Sequence, residues 1–136
     1  MKIINTQLLN QVTQEAQKSP RSRMNLNFHD SLDAKAQRLL NALEPGTVLP
    51  IHRHRHTAET YILLRGKIKV LFYNDDKTIS EETILDPNNG IYGIHIPANQ
   101  WHTLDVLESG SVILEVKDGP YTPLTPEDIL DKDKEL

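Results

Sequence analysis

Hydrophobic positions follow three different rhythms along the chain. Over residues 6–18, TQLLNQVTQEAQK, the positions Leu8, Leu9, Val12 and Ala16 recur on one helix face and predict a short amphipathic helix. Ser19-Pro20 ends it, because the residue before proline is driven out of the helical region. Residues 21–29, RSRMNLNFH, then alternate. Arg21, Arg23, Asn25, Asn27 and His29 fall on one side, and Met24, Leu26 and Phe28 on the other, which is the period of a strand. Leu32, Ala36, Leu39, Leu40 and Leu43 return to helical spacing and predict a second helix over 31–43, with Ser31 as its cap and Glu44-Pro45-Gly46 as its stop.

From Val48 to Lys117 the text is a series of short β-rich runs at 48–56, 59–65, 67–73, 79–85, 91–97, 102–107 and 111–117. Turn residues such as Asn74-Asp75-Asp76 and Pro87-Asn88-Asn89-Gly90 separate them, so a sandwich or closed barrel is expected. Thr125-Pro126-Glu127-Asp128 reads as a cap, a first-position proline and an acidic first turn. A short terminal helix, fraying after Asp131, is expected there. The organisation is one structural domain: N-terminal helices and a strand over 1–45 packing on a barrel over 46–121, with a helical tail over 122–136.

Composition narrows the chemistry. The 136 residues suit a single domain with a real core. There is no cysteine, which removes disulfides, thiolate metal sites and cysteine nucleophiles. No apolar run is long enough for a membrane helix, and the opening MKIINTQLLNQ lacks the apolar stretch of a secretory signal, so a cytoplasmic protein is expected. Residues 18–69 carry ten Lys or Arg against four Asp or Glu, while residues 70–136 carry four against fourteen. Without a groove-entering motif this does not read as a nucleic-acid binder; the basic half suits a small anion.

Three of the six histidines lie within five residues. On a strand, His52, His54 and His56 leave one face, where neighbouring imidazoles can bite a single metal ion; Arg53 and Arg55 leave the other. Glu59 has the opposite parity and joins the histidines only if the chain turns at Thr57-Ala58 and starts a new strand. His95 alternates with Ile94 and Ile96 and is expected to face solvent. Tyr121 reads as a packing residue, and Trp101 as core or rim.

The spacing of Gly46, His52, His54, Glu59 and Gly66 resembles every fixed position of the first cupin motif. Pro97 and His102 resemble the second motif, with Asn99 in place of a glycine, Val106 in place of an asparagine, and Gly90 one residue early. More narrowly, RMNLNFH at 23–29, Gln37-Arg38, PIHRHR at 50–55, IPANQWH at 96–102 and EVKDGPY at 115–121 resemble the WbuC-type cupin fold metalloproteins. The resemblance implies an all-β double-stranded β-helix, or jelly-roll barrel, with short helices at both ends. It also implies one divalent metal ion (zinc, iron, manganese or nickel) on His52, His54, Glu59 and His102, with His56 as the rival to Glu59. Proteins of this type are associated with surface-polysaccharide (O-antigen) assembly.

Two functional readings follow. In the first, an enzyme isomerises or epimerises a small polar or anionic sugar-type substrate, with an iron-dependent oxygenase as a variant. Arg23, Asn25 and Asn27 would form a wall beside the metal, and Tyr61 and Arg65, which share the parity of Glu59, would line the same cavity. The base would be His29, His56 or metal hydroxide. In the second, the barrel binds or senses a sugar or carboxylate without turnover. The expected partner is a small-molecule ligand, with neither nucleic acid nor membrane, and pairing as a homodimer through the N-terminal helix is expected of such barrels.

Overall fold

The computed structural model describes residues 1–131. Helix α1 (Thr6–Lys18) forms where the apolar spacing predicts it, and the side chain of Asn5 caps it by accepting the Leu8 N–H at 3.0 Å. The strands are β1 (Arg23–Asn27), β2 (Ala36–Leu43), β3 (Glu59–Arg65), β4 (Ile68–Tyr73), β5 (Ile79–Leu85), β6 (Gly93–Ile96), β7 (Trp101–Val106) and β8 (Ser111–Asp118). They pair antiparallel in two sheets, ordered β1-β2-β8-β3-β6 and β5-β4-β7. The result is the jelly-roll barrel that the sequence leads one to expect. Leu43, Leu63 and Ile113 of the larger sheet meet Val70, Leu85 and Leu104 of the smaller one in the core.

The segment expected to be a second helix is instead β2, a central strand between β1 and β8. Its apolar residues serve two layers. Leu43 points into the barrel core, while Leu40 and Ala42 pack outward with Val112 against Leu9, Val12 and Ala16 of α1. A strand covered on both faces loses its alternation, and the remaining cluster of leucines imitates a helical stripe. The same cover explains why α1 persists: a 13-residue helix is marginal by itself, and burying its apolar face supplies the stability. Residues 1–45 therefore supply two strands of the larger sheet.

Two further expectations change. Residues 48–58 do not form a strand, apart from an isolated bridge at His52. The C-terminal helix reduces to a single 3-10 turn, Pro126–Asp128, and the fraying expected after Asp131 lies outside the described residues.

Parity also fails for Arg65. The register of β3 on β8 shifts between Leu63 and Arg65, so Arg65 stands opposite Val112, on the helix side of the sheet. Its guanidinium donates to the Gly110 carbonyl at 2.9 Å, to Asn10 Oδ1 at 2.7 Å and to Thr13 Oγ1 at 3.0 Å, tying α1 to the barrel. Arg65→Met should cost about 2 kcal/mol in a urea titration while leaving bound metal unchanged. Loss of metal without loss of stability would count against this anchoring role.

Candidate metal centre

The histidines are brought together by backbone pairing across a loop. His52 and His102 exchange both main-chain hydrogen bonds, at 3.1 and 2.9 Å, which sets their rings 4.3 Å apart between centroids. Ile129 bridges His52 from the other side, and Leu130 N–H donates to the Ile51 carbonyl at 2.8 Å. Asn99 donates its N–H to the His54 carbonyl at 2.7 Å and adopts a left-handed φ of 69°. Asparagine tolerates that conformation, so its replacement of the motif glycine leaves the turn intact.

Ring hydrogen bonds orient the donors. The Nδ1 atoms of His52 and His102 lie 2.9 and 2.8 Å from the carbonyls of Pro50 and Gln100. A carbonyl only accepts, so both Nδ1 atoms carry the proton and both Nε2 lone pairs are free for a cation. Ligand atoms of His52, His54 and His102 all fall within 4.8 Å of one another. Glu59, 3% exposed, places Oε1 2.8 Å from His54 Nε2 and Oε2 3.5 Å from His102 Nε2, and it accepts from the Tyr61 hydroxyl at 2.8 Å.

The electrostatics agree with a cation site. Burial, and then the neighbouring His102 charge, push His52 down to about 3, which keeps the ring neutral and able to ligate. Burial opposes ionisation of Glu59, but the imidazoles of His102 and His54, 3.5 and 2.8 Å from its oxygens, hold it well below the usual carboxylate range. The Nε2 of His102 is buried and has no hydrogen-bond partner among the described residues, an orphan that a metal ion would satisfy. His52, His54 and His102 could thus hold a metal ion, and an all-nitrogen and oxygen neighbourhood suits a borderline divalent ion.

The other candidates separate. His56 is exposed beyond a bend at Arg55 and lines a neighbouring recess of about 160 Å³ with Arg53, Arg55 and Asp128. The shared face expected of His52, His54 and His56 is lost because the segment is not a strand. His29 is buried outside the cavity, its Nδ1 accepting from the Arg38 N–H at 3.1 Å. His95 is exposed beside Thr60. Trp101 is buried under the Arg53 guanidinium, which lies 4.2 Å from its ring centroid.

His52, His54, Glu59 and Tyr61 open on a cavity of about 270 Å³ whose walls include Arg23, Asn25, Asn41, Glu115, Lys117 and Tyr121. Asn27 shares the face of Arg23 and Asn25 but does not reach it, and Arg65 lies elsewhere. Tyr121 is half-exposed on this wall, with Lys117 Nζ 5.9 Å from its ring, and is not the packing residue expected. Sequence reasoning passes over Asn41, Glu115 and Lys117. On β8 Ser111, Ile113, Glu115 and Lys117 face the barrel, polar at all but Ile113, while Val112 and Leu114 face α1. A polar strand face ordinarily means solvent, so only inversion of that rule could have found these residues.

Burial, and then the charge of Glu59, push Glu115 up to about 7. A carboxyl whose folded pKa exceeds its unfolded value binds more protons when folded, so stability falls as pH rises from about 4.5 to about 7. Glu115→Gln should therefore raise the melting temperature at pH 8 and leave it nearly unchanged at pH 4. An equal effect at both pH values would contradict the shift.

No curated protein matches the chain. Among solved structures, TT1209 from Thermus thermophilus is similar with a TM-score of 0.61 at 22% identity, covering 87% of this chain and 97% of that one. The cupin domain of Cnp3 from Schizosaccharomyces pombe gives 0.56 at 9% identity, covering 71% and 64%. CapF from Staphylococcus aureus, a capsular polysaccharide assembling protein, gives 0.57 at 19% identity over 74% of this chain, which spans 30% of that one. These likenesses establish the cupin fold. A family model described as "Domain of unknown function (DUF6016)" matches residues 4–85, and the chain belongs to that family.

Proposed function

We propose that this protein is a metal-dependent cupin that isomerises or epimerises a small anionic sugar-type molecule, with His52, His54, Glu59 and His102 as the metal ligands. The observation that carries this reading is the buried, partnerless Nε2 of His102 beside Glu59, in a histidine cluster that opens on a cationic cavity. A bound divalent ion supplies Lewis-acid polarisation of a carbonyl or hydroxyl oxygen. Tyr61 holds Glu59 through its hydroxyl. Arg21 and Arg23 line the cavity and make no ion pair among the described residues; with Lys117 they would take the anionic group, Asn25 adding an amide. Glu115, pushed up to about 7, is the wall group able to give or take a proton near neutral pH. His29 and His56 do not face this cavity. A place in surface-polysaccharide assembly is supported by the WbuC-type sequence resemblance.

The test is elemental analysis of the purified protein, then incubation with sugar phosphates, nucleotide sugars and keto acids in deuterated water. Metal near one equivalent and deuterium entering a carbon position of one of these compounds support the proposal. Binding without exchange would make the barrel a sensing module. A folded protein with no affinity for divalent metal would overturn the site.

A further inference from the structure

We propose that Asn41 is a specificity-determining residue that accepts a hydrogen bond from a ligand hydroxyl, so that the cavity selects hydroxylated carboxylates over unhydroxylated ones. The inference rests on reading the cavity as a ligand site and adds what that site discriminates. Asn41 lies mid-strand on β2, on the barrel side between Leu39 and Leu43, both of which are buried. An apolar residue would pack there, and the amide needs partners on both of its ends.

One end has a partner. Nδ2 donates to Glu115 Oε1 at 3.3 Å. The other does not: Oδ1 is buried and accepts no hydrogen bond among the described residues. Nearby donors are turned elsewhere. The Tyr61 hydroxyl gives to Glu59, and Lys117 Nζ lies 3.9 Å from Glu59 Oε1. Asn25 stands directly across in register, yet no hydrogen bond joins the two amides. A buried amide oxygen without a donor is costly, and Asn41 is one of the residues that line the cavity, so a small turn of its amide brings Oδ1 to a ligand hydroxyl there. The same wall carries Arg21, Arg23 and Lys117, which favour a negative charge on the ligand. A donor for Asn41 and an anion for the cations together describe a hydroxy acid, such as the acid form of a sugar.

The experiment compares gluconate with hexanoate, which has the same carbon number and no hydroxyl groups, by isothermal titration of the metal-loaded protein and its Asn41→Leu variant. The wild type should bind gluconate at least about tenfold more tightly than hexanoate, the size of one good hydrogen bond. Asn41→Leu should weaken gluconate by about the same factor and leave hexanoate unchanged. The change removes an orphaned acceptor but also the amide that donates to Glu115, so the deciding readout is the ratio of the two affinities and not the melting temperature. Equal affinity for both acids would overturn the inference while leaving the anion site standing. An Asn41→Leu variant that melts lower with its preference intact would show Asn41 to be structural and would also overturn it. Failure of both acids to bind, with metal retained, would overturn the inference and the reading of the cavity together.

Discussion

His54→Ala should reduce bound divalent metal from near one equivalent to less than about a tenth of that, whereas His56→Ala should leave it unchanged. The two residues are close in sequence and differ in place. The His54 ring faces Glu59 at 2.8 Å and shares the cluster with His52 and His102, while His56 is exposed on a separate recess. Removing His54 takes away one donor and leaves Glu59 with a weaker hold on the others. The loss should also appear as stability. A ligand present at a hundred times its dissociation constant stabilises the native state by about 2.7 kcal/mol, so chelation of the wild type should lower the melting temperature by roughly 5–10 °C. His54→Ala should melt near the chelated wild type and show little further response to chelator. If His56→Ala lost more metal than His54→Ala, the ligand set would have to be redrawn around His56.

Gly66→Ala should be the most destabilising change outside the core, at about 3–5 kcal/mol in a urea titration. Gly66 turns the chain from β3 into β4 with φ at 99°, a conformation that L side chains rarely adopt. A Cβ there would also lie 2.5 Å from the Cα of Ser111 and overlap its side chain. Ser111 cannot easily give way. It is fully buried, and its hydroxyl accepts from the Lys67 N–H at 3.1 Å and donates to the Glu108 carbonyl at 2.7 Å. Small domains have total stabilities of about 5–15 kcal/mol, so the variant should be largely unfolded at physiological temperature or close to it. A loss below about 1 kcal/mol would mean that the turn relaxes without strain. The result would give a physical meaning to the last glycine of the first cupin motif: it is required where the turn meets β8.

The sequence by itself determined the features whose cause is local. The alternation of residues 21–29 made a strand, observed over Arg23–Asn27, the apolar spacing of residues 6–18 made a helix, and turn residues divided most of the barrel strands close to where they fall. It also determined the histidine and glutamate spacing that brings His52, His54, Glu59 and His102 to one place, because motif spacing records the backbone path between them. Tertiary structure alone decided the rest. It made β2 a strand, since Leu40 and Leu43 face different layers and only the position of α1 shows that both layers exist. The bulge in β3 turned Arg65 away from the cavity, a one-residue shift that no parity count contains. A bend released His56 from the histidine cluster. The barrel interior also took in Asn41, Glu115 and Lys117, whose polarity in the sequence looks like that of any solvent-facing strand. In a two-sheet barrel with a helix on its outer face, which side of a strand is wet is settled by what covers it, and that information lies in contacts between residues far apart in the chain.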